Sequence, residues 1–366
     1  MHLDFFPSRT IALYIAKLFV VRMLGVLLML VLILQMLDLL GESGKILAQA
    51  GNGEAQLWTY VSLRMPQLVA RFLPYSALLA TILTLATLNQ NSEVISMKAA
   101  GMSAHQVLAP LLLSALVIAT VSFAFNERVV TRATATLKAW QAVEYGQVPK
   151  SSGSRANVYM RDGDNIITAG TISGTGPATV MENVTWYRRG PDGGAILEEV
   201  RAPRATFAAP GWRLDKPSSF DVQSIQRRDI APLVVAREVT PEQVAISSVD
   251  ADGQNVFELA RSIEALKANG RRTSELEGKW WHKFSGPLSA ALMPLLGAIA
   301  AFGLARSGQL LIRAVIGMAL GFAYFVVDNA ALAMGNFGGY PPTIAAWAPF
   351  LLFLLIGETV LVQTEE

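Results

Sequence analysis

The chain has 366 residues, of which 52% are hydrophobic and only 16% charged, with a mean hydropathy of +0.39. Soluble domains carry about 25% charged residues, so the apolar excess points to a membrane protein. The absence of cysteine excludes disulfides, zinc–thiolate sites and thiol nucleophiles, while a net charge of +2 says less than where the charges sit.

A membrane-crossing helix needs about 20 mostly apolar residues. In chain order, Ile11–Leu40 (densest at Met23–Leu34), Leu68–Leu88 and Val107–Phe125 qualify. After a long polar interval, Phe284–Leu304, Leu310–Met334 and Ile344–Val362 qualify too. The expected architecture is therefore an α-helical membrane protein with six transmembrane helices, three on each side of an insert. "AQA" at Ala48–Ala50 looks like a signal-peptidase site. The first apolar stretch is far longer than the roughly 7–15 residues of a signal core, so it reads as an uncleaved span.

Basic residues gather in cytoplasmic loops near span ends. Arg9, Lys17 and Arg22 flank the first span, and Arg306 and Arg313 lie between the fourth and fifth. The loop "GNFGGYPP" has no charge. Both termini and the Asn91–Ser103 segment are then cytoplasmic, and the polar interval lies outside, in the periplasm of a Gram-negative cell. Arg64 and Arg71 fall near the outer end of the second span, the latter between Pro66 and Pro74.

"NSEVISMKAAGMS", Asn91–Ser103, lies between spans two and three. Asn91 is the expected N-cap, with Ser92 and Glu93 in the first turn and Gly101 as the left-handed residue after the end. So short a helix is not stable alone in water, so it docks on something. Val94, Ile95 and Met97 are expected to face the span ends. Glu93, Ser96 and Ala100 share the other face, offering a charge, a hydroxyl and a small residue to a cytoplasmic partner. A plain interfacial loop helix remains the alternative.

The third span is expected to continue as a polar helix over Glu127–Tyr145. Ser151–Val249 reads as β-strands: "NVYM" and "NIITAG" around an Asp-Gly turn, then "VTWYRRGPDGGAILEEV" and "ATFAAPGWRLD" with their own turns. Short strands with Gly/Pro punctuation point to an all-β sandwich or jellyroll. Val256, Leu259, Ala260, Ile263 and Leu266 then mark an amphipathic helix, which lies on the outer membrane surface or packs on the β-domain. Trp280 and Trp281 mark the outer interface. The domain reading is 1–126 for spans one to three with the coupling helix at about 91–103, 127–150 for a helical extension, 151–250 for the β-domain, 251–279 for a connecting helix and 280–366 for spans four to six.

No Walker A, GxSxG or HExxH pattern is present, and His2, His105 and His282 lie too far apart for a metal motif. The chain is expected to be non-catalytic, with no metal, no cofactor of its own and no nucleic-acid partner. Two carboxylates fall in or beside spans, Asp38 and Asp328. Each is either a hydrogen-bonded packing contact or a functional group such as a proton relay, and packing is the preferred reading. Gly317 and Gly321 form a GxxxG, which allows close helix approach but is common in membrane helices.

The segment "NSEVISMKAAGMS" followed by a span resembles the coupling segment of the LptF/LptG lipopolysaccharide-export permeases. "MPQLVARFLPYSALLATI", "FGLARSGQLLIRAVIGMALGFAYFVVDN" and "GYPPTIAAWAPFLLF" resemble the family's second span, its fourth-to-fifth junction and the start of its sixth span. "YPP" and "MLDLL" are closer to the LptG branch. The likeness covers nearly the whole chain and is weakest in the β-domain. It implies an inserted periplasmic β-jellyroll, an LptF-like permease partner, an LptB-like ATPase dimer that binds ATP and Mg, an LptC and LptA-like periplasmic bridge, and lipopolysaccharide as substrate. It also implies that Ser92, Glu93, Ser96, Met97, Ala100 and Gly101 contact the ATPase. Spans one and five would line a cavity, with Phe322 and Phe325 as lining residues. Lys45, Arg64, Arg71, Arg132 and Lys138 are the candidate phosphate ligands. Family members carry a lysine cluster at the end of span one, whereas "QMLDLLGESGK" offers only Lys45, which puts substrate contact there in doubt. Two other readings remain: a membrane-anchored periplasmic scaffold, and a proton-driven transporter using Asp328.

Overall fold

The computed structural model describes residues 7–146, 155–174, 176–190, 194–241, 244, 249–268, 270–302 and 310–363. Its contacts divide the chain into two compact units. The first holds the chain up to Leu37, Met65–Arg128 and the chain from Arg271; the second holds Asp38–Arg64 and Val129–Gly270.

Helices α1 (Arg9–Ala48), α2 (Glu54–Gln90), the short α3 (Glu93–Ala99) and α4 (Ala104–Phe125) come first. A π-helical turn, Asn126–Val130, carries α4 into α5 (Thr131–Ala142). The second half contains α6 (Val256–Ala268), α7 (Ser274–Phe302), α8 (Leu310–Asn336) and α9 (Pro342–Gln363). Among the described residues, five helical runs are long and apolar enough to cross a membrane: α1, α2, the continuous Ala104–Ala142, α8 from Val315, and α9. The remaining candidate stretch, Phe284–Leu304, lies on the 29-residue α7 but ends outside the described residues, as do Arg306 and Ser307.

In the first unit one apolar core joins Ile15, Phe19 and Met23 of α1 to Leu85 and Leu88 of α2, Val94 of α3, Leu108 and Leu111 of α4, Leu296 of α7, Tyr324 of α8 and Phe353 of α9. Small residues set the helix spacing. A Cβ on Gly321 would lie 2.2 Å from Leu78 Cδ2, so the Gly321 face of the GxxxG is used inside the chain. A Cβ on Gly335 would meet the Ala345 Cβ at 2.5 Å. Alanine has no rotamer to move, so Gly335→Ala forces α8 and α9 apart. Overpacking costs about 1–3 kcal/mol, which outweighs the roughly 1 kcal/mol of helix propensity gained. Thermal unfolding of this variant in detergent is expected to fall below wild type; an unchanged or raised midpoint contradicts the tight seam.

In the second unit eight strands form one antiparallel sheet: β1 (Arg155–Asp162), β2 (Asn165–Ser173), β3 (Val180–Arg189), β4 (Ile196–Ala208), β5 (Gly211–Asp215), β6 (Ser218–Asp221), β7 (Gln226–Asp229) and β8 (Leu233–Val235). Pairing runs β1-β2-β3-β4-β5-β8, with β6 on β4 and β7 on β6. Register places apolar residues opposite one another: Met160 faces Ile167, Ile167 faces Trp186, and Trp186 faces Val200. Ala205 faces Leu214 and Phe207 faces Trp212. These cross-strand pairs build a core in which Trp212 is fully buried and its Nε1–H donates to the Val239 carbonyl at 2.8 Å. The Asp-Gly turn lies at the expected place, since Asp162 and Asn165 close the β1–β2 hairpin. Helix α6 buries Val256, Leu259, Ile263 and Leu266, the stripe expected from sequence.

Candidate functional site

The segment between α2 and α4 differs from expectation at its start. α2 runs on to Gln90, the Asn91 N–H donates to Thr87 O, and Ser92 N–H donates to Asn89 O. Ser92, not Asn91, is the residue before α3, in a left-handed conformation (φ 60°) with no side-chain cap. The Asn91 backbone is still held in the closing turn of α2 by its bond to Thr87 O, and its side chain meets Glu93 instead: Nδ2 donates to Oε1 at 3.0 Å. The exit matches expectation. Gly101 has φ +86°, its N–H reaches Lys98 O, and the Met102 N–H reaches Met97 O, a double bond pattern that closes the last carbonyls. Ser103 then starts α4 with a reciprocal capping box to Gln106.

Only part of the expected inner face of α3 is buried. Val94 is buried and Met97 packs at the edge of the core, but Ile95 is exposed. One turn of contact suffices to anchor seven residues, and Ile95 falls on the side turned from the core. Ser92, Ser96, Ala100 and Gly101 are exposed and Glu93 is half-buried, so these five share an accessible surface. Ser96 Oγ donates to Ser92 O, tying the serine to its own helix. Tyr14 of α1 reaches Glu93 Oε1 at 3.3 Å.

The second candidate region, at the C-terminal end of α1 and the N-terminal end of α2 in the second unit, is built on ion pairs. Asp38 accepts the Tyr60 hydroxyl and two Arg64 N–H groups, Nε at 3.0 Å and Nη2 at 3.1 Å. Glu42 accepts Lys45 Nζ at 2.9 Å and the Tyr145 hydroxyl at 2.7 Å. Burial, then this bond to Glu42, pushes the Tyr145 phenol up to about 12, so it remains a donor. The turn carrying Tyr145 is held by force of contacts: Glu144 and Tyr145 both have positive φ, Asn52 Nδ2 donates to Tyr145 O, and buried Trp140 donates to Gly146 O. Beside it lies an open cavity of about 490 Å³ lined by Glu42, Lys45, Ala48, Gln49, Gln141, Glu144 and Tyr145.

The five candidate phosphate ligands are not assembled into one cluster of free cations. Lys45 pairs with Glu42, Arg64 with Asp38, and Lys138 with both Asp250 and Asp252. Arg132 and Arg71 are exposed and carry no carboxylate among the described residues, and Arg71 belongs to the other unit. A phosphate at Arg64 therefore meets a guanidinium already paired with Asp38. Asp38→Ala is expected to destabilise the chain by about 1–3 kcal/mol, because Arg64 and buried Tyr60 lose their acceptor. Equal thermal stability of wild type and variant contradicts that role.

In the first unit, Asp328 is not isolated: His282 Nε2 of a neighbouring helix lies 3.0 Å from its Oδ2, a contact that both the packing and the proton-relay readings accommodate. Phe325 stacks on Tyr75 (centroids 4.0 Å, planes 22° apart), while Phe322 is 66% exposed. Val315, Met318, Phe322 and Val326 give α8 an open apolar face, and α1 has one through Leu24, Leu28, Leu32 and Met36. Sequence reading missed Tyr14, Tyr60, His282 and the pair of buried Lys283 with half-buried Glu127 at 3.1 Å. Asp38 and Arg64 are equidistant in sequence from Gly51, as expected across a helical hairpin, and His282 and Asp328 are equidistant from Ala305. That symmetry is the signal available for them; Tyr14–Glu93 has none.

The sequence profile of the lipopolysaccharide export system permease LptF/LptG matches residues 13–363. The chain belongs to this family. It is similar to the lipopolysaccharide export system permease protein LptG of Escherichia coli K12, 25% identical over 316 residues, covering 83% of this chain and 84% of that one. The protein of the same name from Haemophilus influenzae is 22% identical over 324 residues, covering 84% and 86%. Both carry the LptG name, in line with the branch the "YPP" and "MLDLL" segments resemble. Within the LptF/LptG family reading, α3 and its exposed Ser92–Gly101 surface are the segment likened to the coupling helix, and α1 and α8 are the likened first and fifth spans.

Proposed function

We propose that this chain is an LptG-type permease subunit that takes lipopolysaccharide from the inner membrane and passes it to a periplasmic bridge. It crosses the membrane six times, with α7 as the fourth span, both termini in the cytoplasm and the β-domain, of jellyroll type, in the periplasm. A separate LptB-like ATPase dimer binds ATP and Mg and does the hydrolysis, and an LptF-like permease completes the transport pathway. LptC and LptA-like proteins receive the lipid from the β-domain.

The observation that carries this reading is α3: a seven-residue helix anchored by Val94, with Glu93, Ser96 and Ala100 presented on an accessible side. So small a helix transmits force only if both ends are fixed, and its Gly101 exit and Ser103 capping box fix the second end. The open apolar faces of α1 and α8 support the cavity role, since acyl chains need apolar walls. Only 28% and 22% of their apolar windows are buried within the chain, against 56% in α2.

Purification of the full chain from its native membrane in mild detergent tests the assembly. A soluble ATPase and a second permease are expected to come with it. Recovery with periplasmic proteins only favours the scaffold reading instead, and transport without ATP that Asp328→Asn abolishes favours the proton-driven one.

A further inference from the structure

We propose that Tyr14 and Asn91 are positioning residues for Glu93, holding one carboxylate oxygen so that the other is presented to a single basic side chain of the ATPase. The inference rests on α3 being the coupling helix. Two donors from different elements converge on the same atom: Asn91 Nδ2 from the α2–α3 turn at 3.0 Å, and the Tyr14 hydroxyl from α1 at 3.3 Å. Both point at Oε1, and Oε2 has no partner among the described residues. An exposed glutamate otherwise samples several rotamers, and docking must freeze them. Here the freezing is done within the chain before the partner arrives. One oxygen carries the restraint, so a lysine or arginine meets an acceptor already aimed.

The arrangement has a second consequence. Tyr14 sits in the first turns of α1, one of the two helices with an open apolar face. A displacement of α1 that carries Tyr14 away from Oε1 leaves Glu93 with Asn91 alone. The affinity for the ATPase is therefore linked to the position of α1, and by reciprocity docking favours the α1 position that keeps this contact. The 3.3 Å separation is longer than an ideal O–H···O bond, so Asn91 supplies most of the restraint and Tyr14 the linkage.

The test uses proteoliposomes that hold the full chain with its copurifying permease, titrated with the copurifying ATPase while ATP hydrolysis is followed. Tyr14→Phe removes only the hydroxyl; Asn91→Ala removes the amide; Asn91→Asp keeps the shape but sets a carboxylate against Glu93. Asn91→Ala is expected to raise the half-saturating ATPase concentration about threefold, the size of one exposed charged contact, Tyr14→Phe by a smaller but measurable factor, and Asn91→Asp by more than either. The effect is expected on half-saturation rather than on the saturated rate. In a Glu93→Ala background, neither Tyr14→Phe nor Asn91→Ala adds anything. A Tyr14→Phe shift that persists in that background overturns the positioning role, as does no shift for Tyr14→Phe and Asn91→Ala when Glu93→Ala itself shifts the curve. No shift for Glu93→Ala overturns this inference and the coupling reading together.

Discussion

Lys283→Met is expected to cost about 1–3 kcal/mol of stability, below the range for a fully buried ion pair because Glu127 is only half-buried. Lys283 of α7 is 9% exposed and Glu127 is 14% exposed, and Nζ lies 3.1 Å from Oε1. The methionine fills the space of the lysine stem, so little packing is lost. What is lost is the ammonium that compensates a carboxylate held away from water. The double variant Lys283→Met, Glu127→Gln is expected to regain most of the loss, because a neutral amide needs no counter-charge. Thermal unfolding in detergent for wild type, both single variants and the double variant forms the cycle. Additive losses contradict the coupling. Glu127 sits in the π-helical turn that joins α4 to α5, so the pair also pins the register of that turn. Such turns recur where a helix must be held in an uncommon geometry for function.

This pair illustrates which features the sequence disclosed. The apolar stretches, the β-insert, its Asp-Gly hairpin and the α6 stripe all follow from periodicity, because burial of one face leaves a period of two or 3.6 in the residues themselves. The site is less legible. Glu93 and Gly101 stood out because a capped helix between two spans has local grammar. Asn91 was misplaced because its side chain can cap a helix or reach a neighbouring carboxylate, and sequence does not rank these. Lys283 and Glu127 are separated by the whole β-domain, so no local pattern joins them. The same holds for the cations. Arg64, Lys45 and Lys138 look like free phosphate ligands in sequence, yet each has a carboxylate within 3.1 Å. Charge patterning discloses where cations are, and only the packing of α1 on α2, or of α5 beside Asp250, discloses whether they are spent. The sheet is a middle case: alternation identifies the strands, but the order β4–β5–β8 with β6–β7 branching from β4 depends on long-range pairing.

With α3 as the proposed coupling helix, Glu93→Ala is expected to lower the affinity for the proposed ATPase partner about 10-fold to 100-fold and to cut lipopolysaccharide export accordingly. A hydrogen bond to a charged group contributes roughly 1.5–3 kcal/mol, and 1.4 kcal/mol corresponds to a factor of ten. The fold is expected to survive, for three reasons. Glu93 is only half-buried, its two partners Tyr14 and Asn91 are uncharged and near solvent, and α3 is anchored by Val94 and closed at Gly101 without it. Membrane insertion and thermal stability should therefore match wild type while copurified ATPase falls. Raised salt should weaken wild-type docking and leave the residual binding of the variant nearly unchanged, since the charge that salt screens has been removed. Ser96→Ala serves as the comparison. Its hydroxyl donates to Ser92 O within the helix, so its loss is expected to be felt far less than that of Glu93. If Glu93→Ala exports at the wild-type rate with its ATPase retained, the exposed surface of α3 is an interfacial loop helix, and force must enter the chain elsewhere.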